Sequence, residues 1–453
     1  MATAIEGQRI AVVGAGLAGL TAAWDLRRRG FQVDLYERTR LVGGKATSFR
    51  AGGEEVDNGQ HVFLGCFDEW LGLVREAGME EQLHLQPRFD VLLLAPGGRR
   101  ARLHAARLPA PLHLLPALLA HGLLGLRGRI EVARGMLAAG RPAPATETMA
   151  GWLDRHGQGQ LARDTFWDPF LVPALNAPLE EVAAEAGRFV LTTAFLAGAG
   201  ACRIGWSRVP LARIAEAIAA RAGRLHLRTA VGGLRIERGR LVAVRTADGE
   251  IDVTGAVLAV PPAQLARLLP DAEDVGVRGL DAFGTHPIVD VHLWYEAARL
   301  DLGDGLDFAA LTGSPVQWVF RKRPGYLCCS LSAAAEWVGR SEEELVELCH
   351  EELVRALPHL RGLRPVQGRA TRDPHATFVP APGLRRPGAT TAVPNLTLAG
   401  AWTDTGWPAT MESAVRSGRT AARALAAHLE PIRRGEARPV PGPDGKPERR
   451  VTA

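Results

Sequence analysis

Three glycines and one carboxylate near the N-terminus have the types and spacing that bear most directly on chemistry. Gly14, Gly16 and Gly19 follow a short apolar segment, and Glu37 stands 18 residues after the last glycine. Glycines at this spacing permit a tight turn, a close approach of backbone to a pyrophosphate, and close packing of a helix on a strand. A carboxylate at this distance accepts hydrogen bonds from ribose hydroxyls and would repel a 2′-phosphate. We therefore expect an adenine dinucleotide other than NADP.

A strand, a helix and a second strand must position these groups. Residues 8–13 predict a short buried strand, residues 17–29 the following helix, and residues 32–36 a second strand that ends before Glu37. The N-terminus of such a helix presents free N–H groups and the positive end of its dipole to phosphate. The alternative is a tight glycine-rich turn without function. The strand, the helix, the second strand and the acidic residue follow one another at the expected spacing, which favours a binding site. The predicted dinucleotide contacts in this unit are Gly14, Gly16, Leu17, Ala18, Gly19, Glu37 and Arg38.

A pair of glycines follows the carboxylate and distinguishes between dinucleotides. Gly43 and Gly44 permit a second close approach of the backbone to the dinucleotide, and Lys45 carries a charge that can neutralise phosphate. This extension is typical of flavoproteins that resemble amine oxidases and carotene desaturases, whereas NAD dehydrogenases lack it. FAD is therefore the predicted cofactor.

Another glycine-containing segment lies near the C-terminus. Residues 395–418 predict a buried strand, a glycine, a polar loop and the start of a helix over 409–428, with Pro408 at its beginning. A helix N-terminus aimed at the N1–C2=O edge of a flavin stabilises the negative charge of the reduced flavin. A plain strand-to-helix crossover is the alternative. The predicted contacts here are Gly400, Ala401, and the backbone amides of Thr410, Met411 and Glu412.

Four segments together resemble one known group of flavoproteins. They are residues 11–45, 56–66, 166–176 and 395–418, and they span nearly the whole chain. In these segments the sequence is similar to the hydroxysqualene dehydroxylases, which are relatives of phytoene and ζ-carotene desaturases in the flavin amine-oxidase superfamily. The Asp-Asn-Gly-Gln-His sequence that ends at His61 points to the dehydroxylases, as does the Trp-Thr-x-Thr-Gly-x-Pro-Ala-Thr sequence near the C-terminus.

The sequence departs from the superfamily pattern at two positions. Lys45 replaces a common arginine and keeps its charge, and Ala401 stands where many relatives place an acidic residue near the ribityl chain. The segment from His61 to Cys66 also resembles ζ-carotene desaturases, so the boundary between the two groups is not sharp.

The resemblance implies a fold, a reaction and further cofactor contacts. The fold class is α/β: an FAD-binding Rossmann-like domain of the amine oxidase and phytoene desaturase type, with an interleaved α+β substrate domain. The reaction is the reductive dehydroxylation of hydroxysqualene to squalene in hopanoid or triterpenoid biosynthesis, and no motif identifies the electron donor. The implied contacts are Gly59, Gln60 and His61 near the flavin, and the backbone of Val231 at the adenine.

Three other functions stay open at this point. A carotenoid desaturase would use the same fold with electrons flowing in the opposite direction, into oxidised FAD. A flavin amine oxidase is disfavoured because we find neither an aromatic pair flanking the flavin nor a cysteine in the C-terminal segment for covalent attachment. A flavin-binding or membrane-scaffold protein without activity is the contrasting class.

Dehydroxylation requires an acid that assists the departure of water and a cavity for a long apolar chain. His61 is the favoured acid, with Asp168 and Asp404 as further candidates, although each of the three also suits a structural role. An apolar isoprenoid substrate would fit a tunnel lined by aromatic residues. Candidates for that lining are Phe170, Trp294, Trp318 and Phe320, each of which also suits an ordinary core position.

The chain is predicted to divide into interleaved parts. Residues 1–85, 205–270 and 371–430 form a discontinuous FAD-binding domain, residues 86–204 and 271–370 form a substrate and membrane-facing domain, and residues 431–453 form a disordered tail. Residues 86–204 are predicted to be largely helical, most clearly over 179–195. The other predicted elements are strands at 225–231, 241–246, 256–262, 287–295, 316–320 and 326–331, a hairpin turn at Asp248–Gly249, and a helix at 341–357 with a capping box of Ser341 and Glu344.

Composition limits the class of protein. The 453 residues are 47% hydrophobic and 23% charged, which is ordinary for a globular enzyme. No apolar run reaches the length of about 18 residues that spans a membrane, and we expect neither a signal peptide nor a metal site from the five cysteines. These features favour a reducing cytoplasm.

The charge distribution bears on partners. The net charge of +5 carries no basic stripe with interleaved aromatics, so nucleic-acid binding is not expected. Residues 103–137 are rich in leucine with interspersed arginines, and they predict short amphipathic helices suited to a membrane surface. Peripheral membrane association is therefore expected, with an ordinary core-covering helix pair as the alternative.

Overall fold

Two large sheets, three smaller sheets and a helical layer form the fold of the described residues. The computed structural model describes residues 8–269, 271–296 and 300–433. Of the disordered tail predicted at 431–453, residues 431–433 are helical and the rest lies outside the described residues. The strands are β1 Arg9–Val13, β2 Gln32–Tyr36, β3 Ser48–Ala51, β4 Glu54–Asp57, β5 Val62–Leu64, β6 Leu83–Leu85, β7 Asp90–Ala95, β8 Arg99–His104, β9 Ile204–Ser207, β10 Arg224–His226, β11 Val231–Glu237, β12 Arg240–Thr246, β13 Gly249–Asp252, β14 Gly255–Leu258, β15 Thr285–Trp294, β16 Phe308–Leu311, β17 Trp318–Arg323, β18 Tyr326–Leu331, β19 Gln367–Phe378 and β20 Leu396–Leu398.

Twelve α-helices connect or cover these strands within the described residues. They are α1 Leu17–Arg28, α2 Asp68–Glu76, α3 Leu115–Leu119, α4 Leu126–Ala138, α5 Met149–Arg155, α6 Gln160–Ala162, α7 Asp168–Leu175, α8 Ala184–Val190, α9 Leu211–Ala219, α10 Pro262–Leu268, α11 Glu342–Ala356 and α12 Met411–Arg433. The π-helical segments Arg163–Trp167 and Leu191–Leu196 continue α6 into α7 and extend α8. None of the helices in the described part of the chain is long and apolar enough to cross a bilayer.

The first sheet assembles strands that are far apart in the chain. Its order is β10-β2-β1-β14-β20, and every pairing is parallel. Nearly every residue of β1, β2, β14 and β20 is buried, as expected for a parallel sheet covered on both faces. α1 and α12 pack against each other over this sheet. Residues from about 9–36, 224–258 and 396–398 therefore meet in one unit.

The second sheet has seven strands in the order β19-β15-β18-β17-β16-β7-β8. α11 covers one face, where Leu345, Cys349 and Leu353 are buried together with residues of β15 and β18. Aromatic residues of the sheet and the helices from α3 to α8 share a core on the other face. The β3–β4 hairpin contacts this sheet, since the Phe49 ring lies against His292 and Asp57 pairs with Lys322.

Many local predictions are confirmed and several are corrected. The first strand, helix and second strand lie within one residue of their predicted ends, β18 matches its prediction, and Ser341 and Glu344 form the predicted capping box. The segment 86–204 is largely helical from residue 112 to 196, but it begins with strands, because the apolar run of β7 pairs with β8 and β16. The helix predicted over 179–195 begins at Ala184, and α12 begins at Met411 instead of next to Pro408.

Two more differences concern strands. The strand predicted at 225–231 is interrupted after His226, since Arg228 takes a positive φ of 55° and separates β10 from β11. The domain boundary predicted at residue 371 falls inside β19, and its pairing with β15 places residues 371–378 in the seven-stranded sheet.

Candidate active site

The N-terminal glycines occupy the turn between β1 and α1. Gly14 has φ of +99°, and a Cβ there would lie 2.5 Å from the Ala259 carbonyl oxygen. A Cβ on Gly19 would lie 1.9 Å from the Gly14 carbonyl oxygen, so these two positions require glycine for packing. A Cβ on Gly16 would meet nothing closer than the Gly44 Cα at 3.9 Å. Gly16 therefore faces free space, as its predicted role beside a pyrophosphate requires.

Glu37 is buried at the end of β2, beside this turn. Its Oε2 accepts a hydrogen bond from the Ala15 amide at 2.9 Å, and its Oε1 accepts one from the Thr39 amide at 2.9 Å. The Thr229 amide donates to the Glu37 backbone carbonyl at 2.9 Å, which holds the chain just before β11 and Val231 against the end of β2. Arg38 is exposed. The carboxylate is thus fixed beside the Gly14–Gly19 turn, and its contact with a ribose stays a prediction.

The second glycine pair packs directly on the first turn. The Gly43 amide donates to the Ala15 carbonyl at 2.8 Å, and a Cβ on Gly44 would lie 3.0 Å from the Gly16 Cα. The Lys45 side chain points away from the two glycine loops, because Nζ contacts Asp373 Oδ2 at 2.5 Å and the His375 carbonyl at 2.6 Å. In this arrangement Lys45 fastens the glycine loop to β19, and its contact with phosphate stays a prediction.

The C-terminal segment is arranged around the start of α12. Gly400 follows β20 with φ of +148°, and a Cβ there would lie 2.4 Å from the Trp402 indole. Thr410 Oγ1 accepts from the Ser413 amide at 3.1 Å, which leaves the Met411 and Glu412 amides without intrahelical partners. These amides are the predicted flavin contacts.

The Glu412 side chain has a different role from its amide. Its buried carboxylate accepts from the Trp70 amide at 2.8 Å and from the Glu69 amide at 3.2 Å, and it pairs with Arg416 at 2.7 Å. Burial raises the pKa of this carboxyl despite these bonds. The side chain therefore caps α2 and joins it to α12.

Arg386 lies before this segment and binds its loop, and no sequence motif pointed to it. Its guanidinium donates to the carbonyls of Trp407 at 2.7 Å and Ala401 at 2.9 Å, and to Thr405 Oγ1 at 3.1 Å. The loop from 401 to 407 is consequently wrapped around one side chain. The signal available in the sequence was an Arg-Arg-Pro triplet before β20, which has no recognised meaning by itself.

A buried polar cluster lies where the turn after β4 meets the seven-stranded sheet. Asp290 on β15 is 3% exposed, and its Oδ1 accepts from the Gln60 amide at 3.3 Å. A Cβ on Gly59 would lie 2.4 Å from Asp290 Oδ2, so only glycine allows this contact. Burial raises the pKa of Asp290 to about 7. Asp290 was not predicted, because sheet register and not a local motif brings it to the turn.

Asp57 and Lys322 form an ion pair beside this carboxyl. Lys322 Nζ lies 2.6 Å from Asp57 Oδ2, and Asp57 Oδ1 accepts from the Leu211 amide at 2.8 Å. Burial acts to raise the pKa of Asp57, but the ammonium and these hydrogen bonds outweigh it and hold the pKa below its ordinary value. The cluster therefore places an ionised carboxylate close to one that holds its proton up to neutral pH.

The favoured acid, His61, belongs to the same turn. Its Nδ1 lies 3.2 Å from the Gly59 carbonyl, and burial lowers the pKa of the imidazole. The neighbouring Gln60 Oε1 is buried without a hydrogen-bond partner, which leaves an acceptor free for a ligand. A neutral imidazole is a weaker proton donor at neutral pH, so the structure favours Asp290 over His61 as the store of a proton.

The other two acid candidates lie apart from this turn. Burial, with the added charges of Asp164 and Glu180, raises the pKa of Asp168 to about 6 at the start of α7. Asp404 is exposed, and its Oδ1 accepts from the Gly406 amide at 3.4 Å in a local turn. Within the described residues, no hydrogen bond or ion pair joins either carboxyl to Asp290 or His61.

The predicted apolar lining divides into two groups. Phe170, Trp318 and Phe320 form a continuous aromatic wall with ring centroids 6.0 Å apart, and Trp318 Nε1 donates to the Pro169 carbonyl at 2.9 Å. Trp294 instead packs on Tyr326 with centroids 5.3 Å apart. A small apolar cavity opens beside the wall; it is lined by Phe166, Trp167, Phe170, Leu171, Leu191 and Phe195.

These features fit FAD. The free space at Gly16 suits a pyrophosphate, Glu37 suits a ribose, the first amides of α12 suit an electron-rich ring edge, and Gln60 Oε1 supplies an unused acceptor. The fold and site together define a flavin-dependent oxidoreductase of the Rossmann-like type.

Comparisons with known proteins agree with that class. The family model described as flavin containing amine oxidoreductase matches residues 17–426, and the chain belongs to this family. Hydroxysqualene dehydroxylase of Rhodopseudomonas palustris is 30% identical, over 91% of this chain and 96% of that protein. The 15-cis-phytoene desaturase of Synechococcus elongatus is 26% identical, over 95% of this chain and 99% of that protein. The solved structure of cyclohexylamine oxidase from Brevibacterium oxydans has the same fold, with a TM-score of 0.70, 19% identity and coverage of 93% and 99%.

The predicted fold class, the FAD cofactor and the oxidoreductase assignment are confirmed by these relationships. The individual cofactor and catalytic residues and the domain boundaries stay predictions.

Substitutions at Gly16 and Gly19 test whether the turn between β1 and α1 binds the pyrophosphate of FAD. We expect Gly16→Ala to leave the folded apoprotein intact but to reduce its FAD content severely, because the new methyl group occupies the space at the pyrophosphate. Gly19→Ala should instead lower the thermal stability of the apoprotein, since its methyl group meets backbone. The ratio of flavin to protein absorbance and the apoprotein melting temperature measure the two effects. Normal FAD content in a folded Gly16→Ala variant would contradict this placement.

The two buried carboxyls should respond oppositely to pH. The folded pKa of Asp290 is raised, so its contribution to stability is present below its unfolded pKa of about 4 and is lost as pH rises to about 7. Asp290→Asn should therefore stabilise the protein at pH 8 relative to the wild type. Asp57→Asn should destabilise it there, because Lys322 loses its partner. Urea unfolding at pH 6 and 8 provides the measurement, and the same sign for both variants would contradict the assignment.

Proposed function

We propose that this enzyme is a hydroxysqualene dehydroxylase. The main support is the similarity to the Rhodopseudomonas palustris enzyme over 96% of its length, taken with a protonatable carboxyl buried beside the turn of His61. The reaction breaks a carbon–oxygen bond, releases the hydroxyl as water with one added proton, and forms a carbon–hydrogen bond. FAD, when bound in its reduced form, supplies the hydride.

The chain's own residues have three tasks in this reaction. Asp290 stores the proton and, through the Gln60 amide, holds the turn that carries His61. The aromatic wall of Phe170, Trp318 and Phe320 offers an apolar surface for an isoprenoid chain and keeps water away. The first amides of α12 would donate hydrogen bonds to the flavin ring edge if FAD were bound there. His61 lies on the turn that would meet the leaving hydroxyl.

A carotenoid desaturase is the second candidate, because the phytoene desaturase of Synechococcus elongatus matches 95% of this chain. The two functions differ in the direction of electron flow. A desaturase removes hydride and proton from its substrate, and its proton acceptor would be the ionised form of the same carboxyl. An amine substrate finds less support, because cyclohexylamine oxidase shares the fold of this chain at only 19% identity.

Product analysis separates the two candidates. Anaerobically reduced holoenzyme with hydroxysqualene should yield squalene in one turnover as the flavin is oxidised, and oxidised holoenzyme with phytoene should yield no desaturated product. The squalene rate should fall as pH rises through about 7, because Asp290 loses its proton. Desaturation of phytoene without squalene formation would overturn the assignment.

The variants His61→Ala and Asp290→Asn test which residue supplies the proton that leaves with the hydroxyl. We expect Asp290→Asn to abolish most of the rate and its pH dependence, and His61→Ala to lower the rate while keeping the pH dependence. A His61→Ala rate equal to the wild type would remove His61 from the mechanism.

We also propose that the enzyme takes its apolar substrate at a membrane surface. The leucine face, defined as Leu112, Leu115, Leu119, Leu126, Ile130 and Leu137 of the α3–α4 region, is exposed throughout. On α4, Leu126 and Leu137 are 73% and 75% exposed, and with Ile130 they lie on one side of the helix. Exposed Arg107 and Arg134 accompany this face, and they suit an anionic surface.

Vesicle binding tests this surface. A variant with Leu119→Ser, Leu126→Ser and Leu137→Ser should lose most of its co-sedimentation with vesicles that contain phosphatidylglycerol. Val366→Ser, which removes an apolar group that is 61% exposed elsewhere, serves as the control and should bind like the wild type. Equal binding by the triple variant and the control would contradict the proposal.

A further inference from the structure

The loop from 401 to 407 surrounds a cation that no anion neutralises. Arg386 donates to five acceptors of this loop, namely the carbonyls of Ala401, Trp402, Thr403 and Trp407, and Thr405 Oγ1. All of these acceptors are uncharged. The ring of Phe378 lies on another side, with its centroid 5.0 Å from the guanidinium carbon. In the described part of the chain, no carboxylate comes within ion-pairing distance of Arg386.

The charge of Arg386 persists at neutral pH. Burial lowers the pKa of the guanidinium to about 10, and Asp404 opposes this change. Asp404 itself is exposed to solvent, so water screens its charge. A half-buried positive charge therefore remains inside the loop.

Hydrogen bonds connect this cation to the start of α12. Thr405 Oγ1 accepts from Arg386 and lies 2.7 Å from Ser413 Oγ, which also donates to the Ala401 carbonyl at 3.0 Å. The Ser413 amide in turn donates to Thr410 Oγ1. The only acidic residue in this first helical turn, Glu412, directs its carboxylate to α2 and Arg416. The face of the helix start is thus left with positive potential from both the helix dipole and Arg386.

We propose that Arg386 is an electrostatic tuning residue that raises the reduction potential of the bound flavin. Two electrons and one proton convert FAD to its anionic reduced form, so a nearby fixed positive charge stabilises the reduced state more than the oxidised state. Arg386 exchanges no atom or electron in this process and acts through its field. The field favours hydride transfer to the flavin and opposes hydride transfer from it. A weaker reductant is therefore sufficient to reduce the flavin when Arg386 is present.

The test is a reduction titration of the purified holoenzyme with dithionite against a reference dye. In Arg386→Met we expect reduced FAD to lose about tenfold in affinity relative to oxidised FAD, which for a two-electron couple lowers the midpoint potential by about 30 mV. Arg386→Lys keeps the charge and should stay near the wild-type potential. Arg385→Met removes the same charge from an exposed neighbouring residue and should leave the potential unchanged.

A further variant separates charge from loop order. Thr405→Val breaks the bonds to Arg386 and Ser413 without changing any charge, and it should keep the wild-type potential. If Arg386→Met does not retain FAD, Arg386→Gln takes its place under the same criteria. An unchanged potential in the neutral variant, or an equal drop in Thr405→Val, would overturn the proposal. Since no substrate enters this titration, its result is independent of the hydroxysqualene assignment.

Discussion

The closeness of two glycine loops is the constraint on which the rest of the structure depends. The hydrogen bond from the Gly43 amide to the Ala15 carbonyl holds them together, and a side chain at Gly44 would crowd the Gly16 Cα. This approach leaves bare backbone around the space at Gly16. The parallel sheet fixes the first loop, and Lys45 fastens the second to β19. The start of α12, carried by β20 in the same sheet, completes the site from the other end of the chain.

The turn at Gly59 provides a similar close contact, which only glycine allows, with the second sheet. Glycine there allows a buried carboxyl from β15 to reach the Gln60 amide, which joins the predicted cofactor region to the sheet that carries the aromatic wall. Asp57 and Lys322 form a second link between the same two parts. Chemistry at a flavin requires the substrate chain and the ring to meet at a fixed distance, and these two buried contacts can hold that distance.

Features encoded by neighbouring residues were predictable from the sequence. The turn at Gly14–Gly19, the strand before Glu37 and the capping box at Ser341 each depend on residues close together in the chain, and each appears as expected. The break between β10 and β11 follows the positive φ of Arg228, which no residue type announces. The strands β7 and β8 form a local hairpin, but the place of β7 in the sheet depends on its distant partner β16. The glycine and helix-amide contacts belong to local motifs and were therefore predicted, whereas Asp290, Lys322 and Arg386 were missed. Each of these three depends on sheet register or on a loop folded around it.

Hydrogen exchange of the apoprotein and the FAD-loaded protein, followed by mass spectrometry, tests the convergence of distant segments on one cofactor most directly. We expect FAD to slow exchange together at the Gly14–Gly19 turn, at Gly43–Gly44, and at the first turn of α12. Protection confined to the N-terminal turn, with the α12 amides exchanging equally in both states, would contradict it.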